Sequence, residues 1–338
     1  MNLRNKLALI ACLLSAHFSV AQQIPTTEQP LVLDRIIAVP EAEGRFDHMA
    51  VDAKTGRVFA AVYGNDTVEV IDVHRSRVVH TLRGGLNEPQ GVAYLPDFNR
   101  IVVTNSGDGS CKVFDGSTYE PLASIKFEDD ADQLRYDPAA HLIYVGNGDG
   151  ALGTIDASTN TIARGVFQLG AHPESFQLEQ SGPYIFVNLA SKNEIAVINR
   201  QSKSRTTWKL AKAGTNFPMA LDEKNRRLFV AARRPAVLLV LDIETGREVA
   251  RLPGAADSDD MWYDMTRRRI YVPGGEGLIF VYQQGDANHY SLLAKIPSAI
   301  GARTSAYFGQ VGKHNSLYLA VPGRSNRGPE LWVYETRD

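Results

Sequence analysis

One short pattern returns along most of the chain: a polar or basic residue opening a run of β-branched and aromatic residues. It reads Arg57-Val-Phe-Ala-Ala, Arg100-Ile-Val-Val-Thr, His141-Leu-Ile-Tyr-Val, Pro183-Tyr-Ile-Phe-Val, Arg227-Leu-Phe-Val-Ala, Arg269-Ile-Tyr-Val-Pro and Ser316-Leu-Tyr-Leu-Ala, seven copies in all. A second apolar run follows each copy and closes on Asp72, Asp115, Asp156, Asn199, Asp242, Tyr282 and Tyr334, at spacings of 43, 41, 43, 43, 40 and 52 residues. Short β-rich runs separated by Lys54-Thr55-Gly56, Gly64-Asn65-Asp66, Asp108-Gly109 and Asp149-Gly150 are strands joined by tight turns. The first unit divides into four strands, Met49 to Asp52, Val58 to Val62, Thr67 to Asp72 and Val78 to Leu82. Four-stranded units recurring at about 40–45 residues are blades of a β-propeller.

Closure follows from the two ends of the pattern. The seventh unit, Thr304 to Thr336, supplies only three strands, with extra residues near Gly309–Asn315 and Arg324–Pro329. One unmatched strand, Leu31 to Val39, precedes the first full unit. Placed on the outside of the last blade, it completes a seven-bladed ring of four-stranded antiparallel blades and removes the open edge. An open solenoid is the other architecture such repeats form, and it would need caps rather than a spare strand.

Upstream of this lie Arg4, Lys6, an apolar stretch from Leu7 to Val20, and small residues ending at Ala21. That is the pattern of a cleavable secretory leader, with cleavage expected after Ala21 and a periplasmic or secreted destination. Leu9-Ile10-Ala11-Cys12 loosely fits a lipoprotein box, but it leaves too short an apolar stretch before the cysteine. Residues 22–30 are then a short linker and 31–338 a single propeller domain. No other stretch is apolar and long enough to span a bilayer. Composition adds exclusions: a net charge of −2 provides no basic excess for duplex nucleic acid. Beyond the leader, Cys111 is the one cysteine, so no internal disulfide and no paired-thiol site can form, and its place in the repeat, filled elsewhere by Val68, Leu152, Ile195 and Leu238, marks it as core.

Ile101-Val102-Val103-Thr104-Asn105, Ile143-Tyr144-Val145-Gly146-Asn147 and Ile185-Phe186-Val187-Asn188 resemble the signature of the YVTN-repeat (YncE-like) β-propellers. Phe46-Asp47-His48-Met49-Ala50-Val51-Asp52 resembles the start of the first blade in secreted members. The resemblance spans about residues 31–338 and implies the fold and export. It implies no activity, because the family is mostly without an assigned function. Blades five to seven depart from the signature at Ala231-Ala232, Val272-Pro273 and Ala320-Val321, so a seven-fold ring of asparagines is absent.

Chemistry is expected where the innermost strands begin, at the mouth of the central channel. Aligning the repeats there gives Asp47/His48, Gln90/Gly91, Asp132/Gln133, Glu174/Ser175, Phe217/Pro218, Asp259/Asp260 and Arg303/Thr304, with Asp129, Asp130, His172 and Asp257 in flanking loops. Three readings fit this funnel. Its acids are simply hydrated; or Asp47, His48, Asp132, Glu174 and Asp260 hold a divalent cation such as Ca²⁺ or Mn²⁺; or His48 is a general base with Arg303 stabilising a developing anion. The expected role is non-enzymatic binding of a small molecule, glycan or protein through the funnel by a monomer. The alternative is a metal-assisted hydrolase, lactonase or lyase acting on a small or carbohydrate-like substrate. Quinone-linked dehydrogenase chemistry is a further rival, but nothing in the chain encodes a redox cofactor. Arg226-Arg227, Arg233-Arg234 and Arg267-Arg268-Arg269 read as solvated strand ends.

Overall fold

The computed structural model describes residues 29–338 apart from 164, 312, 313 and 326. The expected leader and most of the linker that follows it lie outside the described residues. Seven antiparallel sheets account for the strands, six formed by consecutive segments and the seventh by Ser305–Val311, His314–Val321, Glu330–Thr336 and Leu31–Ala38. The innermost strands are Phe46–Asp52, Pro89–Leu95, Leu134–Asp137, Phe176–Leu178, Gly214–Asp222, Trp262–Asp264 and Ser305–Val311. Each packs against its counterparts in the two neighbouring blades all the way round, blade 7 against blade 1 included. The molecule is a seven-bladed β-propeller.

The hydrophobic pattern follows from this packing. A blade's two middle strands are covered on both faces by adjacent blades, so Arg57–Val62 is a nearly continuous buried run. An outermost strand is half solvated, and Tyr290–Pro297 alternates half-buried with exposed residues, only Ile296 being fully buried. The core is accordingly divided into seven apolar wedges, one between each pair of blades. Cys111 sits in the wedge between blades 2 and 3, where burial pushes its thiol up to about 12. The N-terminal strand pairs with Glu330–Thr336 and enters two wedges: Ile37 and Val39 pack between blades 7 and 1, and Leu31 between blades 6 and 7.

The acidic strand ends are structural. Asp72 Oδ1 accepts the backbone N–H groups of His74 (3.0 Å) and Arg75 (2.9 Å), fixing the turn into the outermost strand. Asp115, Asp156, Asn199 and Asp242 make the same pair of bonds. The arginine runs are also engaged rather than merely solvated. Arg226 pairs with Glu179, Arg227 with Asp242 and Arg267 with Asp264. Two local departures from the sequence pattern stand out. The first inner strand begins at Phe46, not Met49, because a bulge lets the ladder continue. The outermost strand of blade 3 is split into Thr161–Ile162 and Phe167–Gln168, with Gly165 at φ +118 between them, a conformation outside the range of a strand.

Candidate functional site at the channel mouth

The same irregularity opens nearly every inner strand. In blades 1, 2 and 5 the register slips by one residue across Asp47-His48, Gln90-Gly91 and Phe217-Pro218. In blades 3 and 4 two residues face one: Asp132 N–H donates to Gly146 O and Gly146 N–H to Gln133 O, and Glu174 and Ser175 face Asn188 in the same way. A bulge turns its side chains away from strand alternation. Here that device, repeated at one level of the ring, aims paired residues into the funnel.

His48 stands at the centre. Its Nδ1 lies 3.1 Å from Asp260 Oδ1 in blade 6, and its Nε2 lies 2.6 Å from the Gln133 amide in blade 3 and 3.3 Å from Asp47 Oδ1. Blades 3 and 6 each lie two places from blade 1, so these groups meet only across the axis. Asp260 Oδ2 accepts the Ser305 N–H (2.7 Å), which anchors the carboxylate to blade 7. Below, Arg135 donates to Gln133 Oε1 (2.7 Å) and packs over the Phe176 ring. That bond directs the amide nitrogen of Gln133 toward the imidazole, a contact satisfied when Nε2 is a bare acceptor. The carboxylates act in the opposite sense. Burial would lower the His48 pKa, but Asp260 and Asp47 push it up to about 10. Asp47 itself is raised to about 7 by burial, against the pull of His48 and Arg45.

Two further groups flank this centre. On the side of blades 5 to 7, Arg303 contacts Asp257 and Asp259 (2.7 Å each), and Arg233 contacts Asp259 (2.6 Å) while lying 3.8 Å over the Phe217 ring. On the side of blades 3 and 4, His172 approaches Asp132 Oδ2 and Asp130 Oδ2 (3.5 Å each). Burial and the Asp132 charge raise the Glu174 carboxyl to about 7. The structure thus brings Asp47, His48, Gln133 and Asp260 into one network. Asp132 and Glu174 gather with His172, and Asp259 with Arg303. Gln90 lies half-buried on the rim of blade 2. Arg303 and His48 make no direct contact; both answer to the acids between them.

Sequence reasoning missed Arg45, which pairs with Asp47 (2.8 Å) and stacks 4.0 Å over Tyr63, and also Arg135. A signal for Arg135 existed. It lies two residues past the funnel pair, where blades 1, 2, 5 and 7 have Ala50, Ala93, Ala220 and Ala306 and blades 4 and 6 have Gln177 and Trp262, so it is the one charged side chain at that position.

The signature threonine and asparagines hold the loops of this face. Thr104 Oγ1 accepts the Gly91 N–H (2.8 Å) and donates to Asp132 O, clipping blade 2 to blade 3. Gly91 permits the approach, since a Cβ there would lie 2.4 Å from Asp132 O. Asn188 donates to Phe217 O (2.8 Å) in blade 5, and Asn105 accepts the Asn87 N–H (3.0 Å). Thr104→Val keeps the volume but leaves two buried backbone groups without their partner, an expected loss of about 1–3 kcal/mol in urea unfolding. An unfolding midpoint equal to that of the parent would show that the clip carries no weight.

No protein-family model and no curated protein matches the chain. Solved structures are similar to it at low identity. One is from Kuenenia stuttgartiensis hydrazine synthase (TM-score 0.74, 15% identity, covering 89% of this chain and 99% of that one). A second is from the mitotic checkpoint complex (TM-score 0.75, 14% identity, 99% of each chain). A third is the WD40 repeats of RRP9 (TM-score 0.76, 11% identity, 89% of this chain and 97% of that one). At such identities the likeness speaks to architecture alone, and it agrees with the seven-bladed β-propeller described above.

Proposed function

We propose that this chain is an exported, YVTN-type β-propeller that works by binding a polar small molecule, glycan or protein loop at its funnel, not by catalysis. The observation that carries this is the engagement of every group a catalytic reading would use. His48 Nε2, the atom a general base would employ, is taken up by Gln133 and Asp47, and Nδ1 by Asp260. No serine, threonine or cysteine side chain contacts either ring nitrogen among the described residues. Arg303 is bound to Asp257 and Asp259. Polar groups held in place at a concave mouth by contacts between blades make a rigid recognition surface, which lowers the ordering cost of binding. Export and the YVTN assignment rest on the leader and the signature residues. Among the described residues no helix is long and apolar enough to cross a membrane.

The test is a thermal-shift panel on the full chain with dicarboxylates, sugar acids, lactones, oligosaccharides and polyamines, each incubation also assayed for product. Stabilisation by one class, lost in His48→Ala and without turnover, supports the reading. Turnover of a panel compound would replace it with the metal-assisted hydrolase or lyase alternative, for which His172, Asp132 and Glu174 would be the first residues to change.

A further inference from the structure

We propose that Asp132, His172 and Glu174 form a binding site for a first-row divalent cation of the manganese or zinc class, on the blade 3 and 4 side of the funnel. One donor atom from each of the three lies within 4.8 Å of the others. Two independent features point the group at a cation. His172 Nδ1 donates to Gly148 O (2.8 Å), which fixes the ring and turns Nε2 toward Asp132 Oδ2. A backbone carbonyl on the far nitrogen is the usual support of a metal-binding imidazole. Asp132 is 6% exposed, yet its Oδ1 is buried with no hydrogen-bond partner. A buried carboxylate oxygen without a partner is costly unless a ligand satisfies it.

Charge distribution adds to this. Across the mouth, Asp257 and Asp259 are met by Arg233 and Arg303. Around Asp132 and Glu174 no arginine or lysine makes an ion pair among the described residues; His172 is 3.5 Å from Asp132, and the Arg233 charge reaches Glu174 only at longer range. The donors are also held from behind. Asp132 is bonded through N–H to Gly146 and through C=O to Thr104, and Glu174 through N–H to Asn188 (3.0 Å). One imidazole nitrogen with two carboxylate oxygens suits manganese or zinc, whereas calcium favours six to eight oxygen donors. The set differs from the one expected from sequence. Asp47 and Asp260 are engaged by His48, Arg45 and the Ser305 N–H, and His172 supplies the nitrogen.

The rival is a plain ion pair in which an imidazolium takes the cation's place. Chelator-treated full-length protein is titrated calorimetrically with MnCl₂, ZnCl₂ and CaCl₂. The expected result is one equivalent of manganese or zinc, bound at least tenfold more tightly than calcium, and at least tenfold more weakly in His172→Ala and in Glu174→Gln. Glu174→Gln leaves the His172–Asp132 contact intact, so its effect is separate from any loss of folding, which circular dichroism monitors. Bound Mn²⁺ should also show a nitrogen hyperfine coupling that His172→Ala removes. Absence of stoichiometric uptake, or uptake unchanged in both variants, would overturn the proposal. The panel above contains no metal, so the two readings can fail separately.

Discussion

Deleting residues 31–39 lowers the melting temperature by roughly 10 °C or more relative to a chain starting at Gln22. The segment looks peripheral, but it is the outermost strand of blade 7 and inserts Leu31, Ile37 and Val39 into the two wedges that flank that blade. All three are at most 1% exposed. At ~1.5–3 kcal/mol for each fully buried aliphatic side chain, their loss is worth about 5 kcal/mol or more, before counting the ladder bonds to Glu330–Thr336. About 2–4 °C per kcal/mol for a chain somewhat smaller than this one sets the temperature scale. The deletion also strips Trp332 and Val333 of their partners Ile36 and Arg35 and leaves an open edge, so oligomers should form. Ile37→Ala, which keeps the strand and its ladder bonds, should cost less than the deletion, roughly 2–5 kcal/mol. A deletion variant that melts with the parent would mean the ring does not depend on the pairing of its two ends.

Raising the pH from about 5 to 9.5, with chelator present, destabilises the protein progressively. Asp47 and His48 both hold a proton more tightly folded than unfolded. Asp47 is raised from 3.8 to about 7 and His48 from 6.5 to about 10. Wherever the folded state binds more protons, stability falls with pH. The contribution of the protonated Asp47 is therefore present below 3.8 and lost as the pH climbs to about 7. The contribution of His48 is complete below 6.5 and lost on passing about 10. At ~1.4 kcal/mol per pKa unit the fall is on the order of a few kcal/mol for these buried groups. Glu174 and His172 are raised in the same sense, to about 7 and about 9, and add to the fall in the same windows, so Asp47→Asn should make the lower part of the profile shallower and His48→Gln the upper, without removing either. Gln133 sets the internal check: its amide nitrogen faces the imidazole, so Gln133→Ala should raise the His48 pKa further. Melting temperatures that stay level across this range in the parent would remove the carboxylates' hold on His48.

These cases show what the sequence exposes and what it hides. The repeat was legible because middle strands of stacked blades are covered on both faces and must read as apolar runs, as Arg227–Arg234 and Arg269–Gly274 do. Closure was legible because an unmatched strand and a three-stranded last unit count to a whole number of blades. The strand-end acids were visible, but as turn caps they say nothing of ligands. The ring of funnel positions could be found by aligning repeats, since each sits at the start of an inner strand. Their partners could not. His48 and Asp260 are 212 residues apart, and only the closed ring brings them together. The bulges that aim Asp47, Asp132 and Glu174 inward are features of strand register and leave no compositional mark. His172 escaped the metal set because it lies two residues before the aligned position that Glu174 fills, in a flanking loop, and only the fold shows that its ring meets Asp132.

The most direct test of the funnel as the working surface is a calorimetric titration of the best panel compound into three proteins: the parent, His48→Ala, and Asp115→Asn in a turn at the opposite end of blade 2. Binding that survives Asp115→Asn and weakens at least tenfold in His48→Ala is the predicted result. Binding that ignores His48→Ala, or that fails in Asp115→Asn alone, would contradict it.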